Sequence, residues 1–584
     1  MFFVRGISIR FVQNQTLKNL LYLLFIIIPL FSFGLSNHGL WSADEPRVAE
    51  IGREMALTGN WAVPMLNQRP FLEEPPLYYG ALALTFKTFG ISDKVVRIPS
   101  AIFAFATILI LFFTVNFLFE PRIALLSGVI LATTGEYFRV AHTVIVDSAL
   151  TFFIVSSMCL FIIGYLSDNN RNKLLYYVSM YVAATLAFYS KGFIGIVIPC
   201  LGILAFLIAD RNFKEIIRMR LWLGVLVFLF LTLPWFIALW QQGGKEYLDV
   251  FLIHNHLQRF LPGSLAGTIS GEASGHHHPF YYYLTEFPIG FLPWSILLIP
   301  VLIHAFSRSD KSETPPEKGR LFAKCWFFAG IIFLSVASTK RTLYLMPIFA
   351  PIAILTSLFI ESTLISHPIN RLGKTFLWVF AFALAFIGIG ATPIFLFFKK
   401  IYPFDVPDSL FLSFVVFSLL MVTLSIAAVR YLLSSDLNRY WIANIASIVI
   451  GLVFVVLIVA PVVDRHKSFV PFCQKVMAAV PINEPLYTYK PDETLRGAVP
   501  FYTGRYLTEI HGLEQMEQIV ETKERLFVIT RDKKKKAENE MLSIGGLFVV
   551  FQKNMGLERT LSLFEKKMSC VSQQDSALRK RRNE

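Results

Sequence analysis

Apolar runs of about 20 residues, broken by short charged or proline-bearing connections, recur along positions 1–463. They predict transmembrane helices at 20–35, 97–118, 122–134, 143–166, 174–189, 193–209 and 221–240, then at 288–306, 321–337, 342–361, 374–397, 409–433 and 440–463. That makes thirteen spans, of which the third, fifth and sixth are short for a bilayer crossing. The first run follows Arg5, Arg10 and Lys18 in the manner of a signal peptide, but no small-residue cleavage site succeeds it, so it is read as a span. Two connections are long, 38–94 and 241–287, and each carries its own helical pattern. In the first, Val48, Ile51 and Met55 share one face and Arg47, Glu50 and Glu54 another. Ser42 or Asp44 serves as cap, Pro46 sits in the first turn and Gly59 is the stop, which predicts an amphipathic helix lying on the membrane surface. A second helix is predicted from Pro76 to Phe89, ended by Gly90. From Asp464 the pattern changes to a charged mixture with short β-rich runs at Leu486–Tyr489, Leu526–Thr530 and Leu547–Phe551 and a helical stretch at 513–524. This predicts a small external α/β domain over 464–584.

Composition agrees with the pattern: 55% of the 584 residues are hydrophobic, only 16% are charged, and the mean hydropathy is +0.57. A soluble globular chain is excluded. The net charge of +14 is distributed unevenly. Arg122, Arg171, Lys173, Arg211, Lys214, Arg308, Lys311, Arg371, Lys374, Arg430 and Arg439 fall on the side of the basic N-terminus, whereas the opposite short connections hold Arg139, Lys191, Lys340, Arg341, Lys399 and Lys400. The N-terminus is therefore expected inside and the C-terminal domain outside. No basic, aromatic-interleaved patch points to nucleic acid. Trp41, Trp61, Trp235 and Trp294 read as interface anchors. The five cysteines form no CxxC pair or metal spacing, although Cys473 and Cys570 are free to pair in an oxidising compartment. The His276, His277 and His278 triplet reads as polar loop, and the Lys533–Lys536 and Arg579–Arg582 runs as solvated charge.

Once the topology is set, the ionisable residues near the spans collect on the outer side. Asp44, Arg47 and Glu73 lie in the first long loop, Asp147 at the start of the fourth span and Lys191 in a tight outer turn. His254, His256 and Arg259 lie in the second long loop, and Lys340, Arg341 and Tyr344 open the tenth span. Asp44 and Glu73 alone would pass for ordinary acids at helix starts. Asp147 would not, because a lone carboxylate among apolar neighbours is expensive. A transporter would place its coupling residues near the bilayer midplane in paired halves, and no half-to-half similarity is evident. A purely structural subunit would leave the carboxylate-rich loops unexplained.

The strings Asp44-Glu-Pro-Arg47-Val-Ala-Glu-Ile-Gly-Arg-Glu-Met55 and Gly59-Asn-Trp-Ala-Val-Pro64 resemble the first outer loop of the bacterial lipid A aminoarabinose transferases. These stand with the protein O-mannosyltransferases among the polytopic C-type glycosyltransferases. Similar matches run through Phe71-Leu-Glu73-Glu74-Pro-Pro-Leu77, Val146-Asp147-Ser148, Lys191-Gly-Phe193, Asn255-His256-Leu-Gln-Arg259-Phe260, Pro279-Phe-Tyr-Tyr-Tyr283 and Ser338-Thr-Lys340-Arg341 to Tyr344. The resemblance implies a C-type glycosyltransferase fold in a bacterial inner membrane, a polyprenyl-phosphate sugar donor, a lipid A, glycolipid or protein acceptor, and a periplasmic active face. Carried over by position, Asp44 is the central carboxylate. Glu73, Asp147 and His256 complete a polar shell, with Glu73 and His256 the candidates for a divalent metal. Arg47, Lys191 and Tyr344 hold the donor phosphate, and Arg259, Lys340 and Arg341 add to its binding. Two positions depart from the aminoarabinose branch: Glu74 stands where that branch often has Lys, and Phe71 where it tends to have Tyr. Both leave the sugar open. The chemistry suits these residue types, because a polyprenyl phosphate is already an activated leaving group and needs cations more than a nucleotide-binding loop. An alcohol acceptor would need Asp44 as base, whereas a lipid phosphate would arrive ionised.

Overall fold

The structure, a computed structural model, describes residues 14–41, 43–257, 278–307, 314–337, 339–365, 371–401, 407–533, 536–555 and 559–566. Each predicted apolar stretch is helical over most of its length. Among the described residues nine helices are long and apolar enough to cross a membrane, and two bent pairs, Pro121–Ala132 with Gly135–Ala141 and Tyr282–Gly290 with Trp294–Ser307, raise the number to eleven. The expected thirteen exceeds this by two. Ile194–Ala209 has only 16 residues, and Asn170–Lys191 carries Arg171, Lys173 and Lys191. The chain is a multi-pass membrane protein. Its main core runs through most of the spans, and the side chains that remain exposed on them are largely Phe, Leu and Ile, as a lipid-facing surface requires.

The helix predicted at 221–240 runs on to Asp249 and continues in a π-helical turn at Val250–Leu257. Gly244, with φ of +61°, breaks the continuous helix, and Phe251 beyond it packs with Trp235, Phe188 and Leu72. Trp235 and Trp294 are therefore not interface anchors. Both are buried, their indole N–H groups donating to the Ala62 carbonyl at 2.8 Å and the Thr133 hydroxyl at 3.0 Å.

The two helices of the first long loop are Asp44–Thr58, ended by Gly59 at φ +72°, and Leu77–Phe89, ended by Gly90. The first does not present its polar face to water. Glu50 and Arg53 are buried as a pair with contacts of 2.6 and 2.7 Å, and Glu54 is buried beside them. The helix is amphipathic because its two sides meet different neighbours. Gly52 lies so close to Leu82 of the second helix that a Cβ would stand 2.7 Å from it, and the opposite side carries the C-terminal domain.

That domain is a five-stranded mixed sheet in the order Leu507–Ile510, Leu486–Tyr489, Phe527–Lys533, Arg559–Lys566, Leu547–Met555. The first three strands are parallel and the last two antiparallel. Alternate residues feed two cores, Leu486, Ile529 and Leu563 into one face and Tyr487, Val528 and Phe564 into the other. Helices Val470–Ala479 and Glu493–Thr503 cover the first face, and Leu513–Thr522 and Lys536–Ser543 the second. Cys473 is a buried free thiol, and the proposed partner Cys570 lies outside the described residues.

Candidate active site

The helix Asp44–Thr58 is held at its start by a buried ion pair that no motif marks. Glu45 accepts from Arg97 Nε at 3.0 Å and Nη2 at 2.9 Å, and from the main-chain N–H groups of Trp41 and Val144. Arg97, fully buried, also donates to the carbonyls of Leu35, His38 and Gly39. All of these acceptors belong to the chain that leads into the helix, so the pair fixes where its first turn points. With Glu45 turned inward, Asp44 turns the other way. The cap position is Ala43, and Asp44 is the first helical residue, leaving its carboxylate free of the capping role expected for it.

Asp44 instead gathers cations. Its two oxygens accept from Arg47 Nη2 and from Arg341 Nη2, each at 2.8 Å. Burial alone would raise its pKa, but Arg47, Arg341 and Lys191 hold the carboxyl below the usual carboxylate range. Arg47 stacks over the Phe71 ring at 5.4 Å and pairs through Nη1 with Glu493 of the C-terminal domain. Lys191 sits at the end of helix Asn170–Lys191, where Gly192 turns the chain at φ +75°. It donates to Asp147 Oδ2 at 2.5 Å, approaches Glu74 Oε1 at 3.8 Å and lies 5.2 Å from the centre of the Tyr344 ring. Tyr79 donates to the other Glu74 oxygen at 2.8 Å. Two buried atoms in this network have no hydrogen-bond partner, Arg47 Nε and Asp147 Oδ1.

Cavities lie on both sides. A small one, of about 60 Å³, is lined by Glu73, Glu74, Lys191, Asn255, Thr339 and Tyr344 with apolar side chains of the spans. A larger one, of about 590 Å³, opens on Asp44, Arg341 and Arg139 and is walled by Leu452, Val455, Val456, Val459 and Val463. The charged network thus lies between a small chamber, lined by polar and apolar side chains together, and a larger, mostly apolar one. Such an arrangement can hold an anionic headgroup at its cations while a second amphiphile approaches the carboxylate from the other side.

Most of the residues expected to meet do so: Asp44, Arg47, Asp147, Lys191, Arg341 and Tyr344 form one network, and Glu73 lines its small cavity. Lys340 points elsewhere and donates to the carbonyls of His278 and Ala337, at 2.9 and 2.5 Å. The side chain of His256, together with Arg259, His276 and His277, lies outside the described residues. Among the described residues no three His, Cys, Asp or Glu side chains are placed to hold a metal ion, and Lys191 already stands beside Glu74. Glu74, Glu45, Arg97 and Glu493 were not among the expected site residues. Glu74 was marked only as a departure from a pattern, and the partners of the others are too distant along the chain to be paired by spacing.

Superposition on solved structures decides the architecture. ArnT from Cupriavidus metallidurans bound to undecaprenyl phosphate matches 93% of this chain and 97% of its own length with a TM-score of 0.75 and 19% sequence identity. The chain has the C-type glycosyltransferase fold. An archaeal oligosaccharyltransferase from Archaeoglobus fulgidus shares the fold more loosely, with a TM-score of 0.51 over 92% of this chain and 71% of that one. Residues 73–238 match a family model described as dolichyl-phosphate-mannose-protein mannosyltransferase. The chain is also similar to an undecaprenyl phosphate-alpha-4-amino-4-deoxy-L-arabinose arabinosyl transferase of Erwinia tasmaniensis, 30% identical over 59% of each chain. A protein of the same name from Pseudomonas paraeruginosa is 29% identical over 59% of each chain. The similar region spans about three fifths of these relatives' length. The resemblance read from the first long loop and the spans after it is therefore met both in sequence relatives and in fold.

Proposed function

We propose that this chain is a membrane glycosyltransferase that moves a sugar from a polyprenyl-phosphate donor to an acceptor at the periplasmic face of a bacterial inner membrane. One observation carries the reading: Arg47, Lys191 and Arg341, from three distant segments, converge with Asp44 and Asp147 on the wall between two cavities. The sequence relatives' names support it, as does the excess of Lys and Arg on the connections at the other end of the bundle.

In this reading the donor phosphate sits at Lys191 and Tyr344, with the charge of Arg47 close by. The acceptor enters through the larger cavity toward Asp44. Its oxygen forms a bond to the anomeric carbon while the bond from that carbon to the phosphate oxygen breaks, and the electron pair leaves with the phosphate. The cations neutralise the charge that grows there, and the sugar carbon inverts. A hydroxyl acceptor gives its proton to Asp44; a lipid phosphate gives none, and Asp44 then orients it. Lipid A or a related glycolipid is the acceptor implied by the resemblance of the first outer loop, and a protein hydroxyl is the second reading, favoured by the mannosyltransferase family model. A divalent ion, if the reaction uses one, would draw on Glu73 and His256, and no step above depends on it.

The test incubates purified protein with a panel of polyprenyl-phosphate sugars and either lipid A or peptide acceptors, wild type beside Asp44→Asn. Transfer by the wild type and its collapse in the variant support the reading. Undiminished transfer by Asp44→Asn removes the carboxylate from the mechanism. Vesicles in which the lipid-linked sugar crosses intact, with no bond broken, would establish transport instead.

A further inference from the structure

The C-terminal domain meets the charged network at Glu493. Its helix Glu493–Thr503 is capped by Asp492, whose Oδ1 accepts from the Leu495 N–H at 2.9 Å. The other Asp492 oxygen gathers Arg531 and Arg559 from two adjacent strands, so the start of this helix is tied to the sheet. The helix then lies directly on the first turn of Asp44–Thr58. A Cβ at Gly497 would stand 2.4 Å from the Pro46 carbonyl, so only glycine permits this approach of main chain to main chain. A second clamp lies nearby: the Asn67 side chain exchanges hydrogen bonds of 2.9 and 2.8 Å with the main chain of Leu507, as a neighbouring strand would at that sheet edge. Between these two fixings, Glu493 falls beside Arg47.

We infer that Glu493 is a positioning residue for sugar transfer: by taking Nη1 of the Arg47 guanidinium, it draws part of that charge away from Asp44 and holds Arg47 in the orientation in which Nη2 reaches the carboxylate. This inference rests on the function proposed above. The two oxygens of Asp44 are divided between Arg47 and Arg341, so a second acid is free to take the other end of the Arg47 guanidinium. Here Nη1 is held by Glu493, only Nη2 reaches Asp44, and Nε stays buried and unpartnered. The charge of Arg47 is thereby shared between two acids, and Asp44 keeps a lone pair for an acceptor.

The charged groups facing Asp44 are Arg47 on its own helix, Arg341 ahead of the Thr342–Leu364 span, Lys191 at the end of its helix and Arg139 on Gly135–Ala141. Those facing Arg47 are Asp44, Glu493 and Glu74. Removing the Glu493 charge leaves the Arg47 charge paired with Asp44 alone, beside Arg341 on the other oxygen, which makes that carboxylate a weaker base that holds its charge to lower pH.

The experiment is the full-length protein with Glu493→Gln and Glu493→Asp, each assayed for transfer from a polyprenyl-phosphate sugar across pH and for thermal melting. The expected result for Glu493→Gln is a kcat reduced about tenfold, KM for the donor within about twofold of wild type, and an acid limb moved down by roughly one pH unit. Glu493→Asp, with its charge kept, recovers the limb and part of kcat. A kcat and limb equal to wild type in Glu493→Gln overturn the inference, as does a loss that follows the folded fraction with the limb unmoved. Should Glu493→Gln not fold, Glu493→Ser, which also removes the charge, takes its place, and a kcat and limb equal to wild type in it are the contrary result. Failure of the wild type itself to transfer any sugar would instead count against the function proposed above.

Discussion

The bundle carries buried charge at both ends, and the two ends are built differently. At the end away from the C-terminal domain, Glu215 accepts from Lys173 at 2.9 Å, from Tyr177 at 2.6 Å and from Arg218 at 3.1 Å. Asp210 is closed in the same way by Tyr165 and Lys318. Every carboxylate oxygen in these two clusters has a donor. At the other end Arg47 Nε and Asp147 Oδ1 are left over, and cavities lie on either side. The first arrangement is what fastening helices together requires. Unpartnered oxygens alone do not mark the second as a site, since Glu317 Oε2 and Glu361 Oε2 at the first end also lack a hydrogen bond; the cavities beside Asp44 and Lys191 are what leave room there for something that is not part of the chain.

The comparison can be broken most forcefully at Asp44. Asp44→Asn keeps the shape and removes the charge, and is expected to lower kcat for sugar transfer by roughly 10²–10³-fold per folded molecule, with a lower melting temperature because Arg47 and Arg341 lose their partner. Next is Lys191→Met, which strands Asp147 and is expected to cost about 3–5 kcal/mol in unfolding free energy together with donor binding. Adding Asp147→Asn should recover most of the stability and none of the donor affinity, a split that denaturant titration and donor KM would reveal. The opposite end supplies the contrast. Glu215→Gln should lower stability by about 1–3 kcal/mol and leave the rate per folded molecule unchanged.

A smaller effect concerns pH. Asp44 is held below its ordinary carboxyl value by Arg47, Arg341 and Lys191. The stabilisation from its ion pairs is therefore complete above the unfolded value and lost as pH falls through the lower folded one. Transfer should persist down to the usual carboxylate range, and Arg341→Met should move the acid limb upward by about one pH unit. A limb unmoved in that variant would show that another group sets it.

Much of this architecture was readable along the chain, and the parts that were not have physical reasons. The spans were visible because lipid demands long apolar runs, and the helix Asp44–Thr58 because its cap region, Pro46 and Gly59 mark its ends. The same helix misled as to its surroundings, since a polar face covered by another domain has the pattern of one covered by water. Strand Leu507–Ile510 was missed because Thr508 and Glu509 interrupt its apolar pattern, and Arg559–Lys566 because its outer positions are polar. Asp147 was legible as a carboxylate among apolar neighbours, but nothing local marks Glu493. Its Asp492-Glu493 start reads as ordinary helix capping, and its partner Arg47 lies 446 residues away. Arg97 and Glu45 were silent for the same reason.

The most direct test of the claim that only one end of the bundle is a site is photo-crosslinking with a polyprenyl phosphate carrying a photoreactive group beside the phosphate, followed by mapping of the labelled peptides. Label is expected on segments bearing Lys191, Glu73, Glu74 and Tyr344, reduced in Lys191→Met and unchanged in Glu215→Gln. Label concentrated on segments bearing Lys173, Glu215 or Lys318 would contradict it.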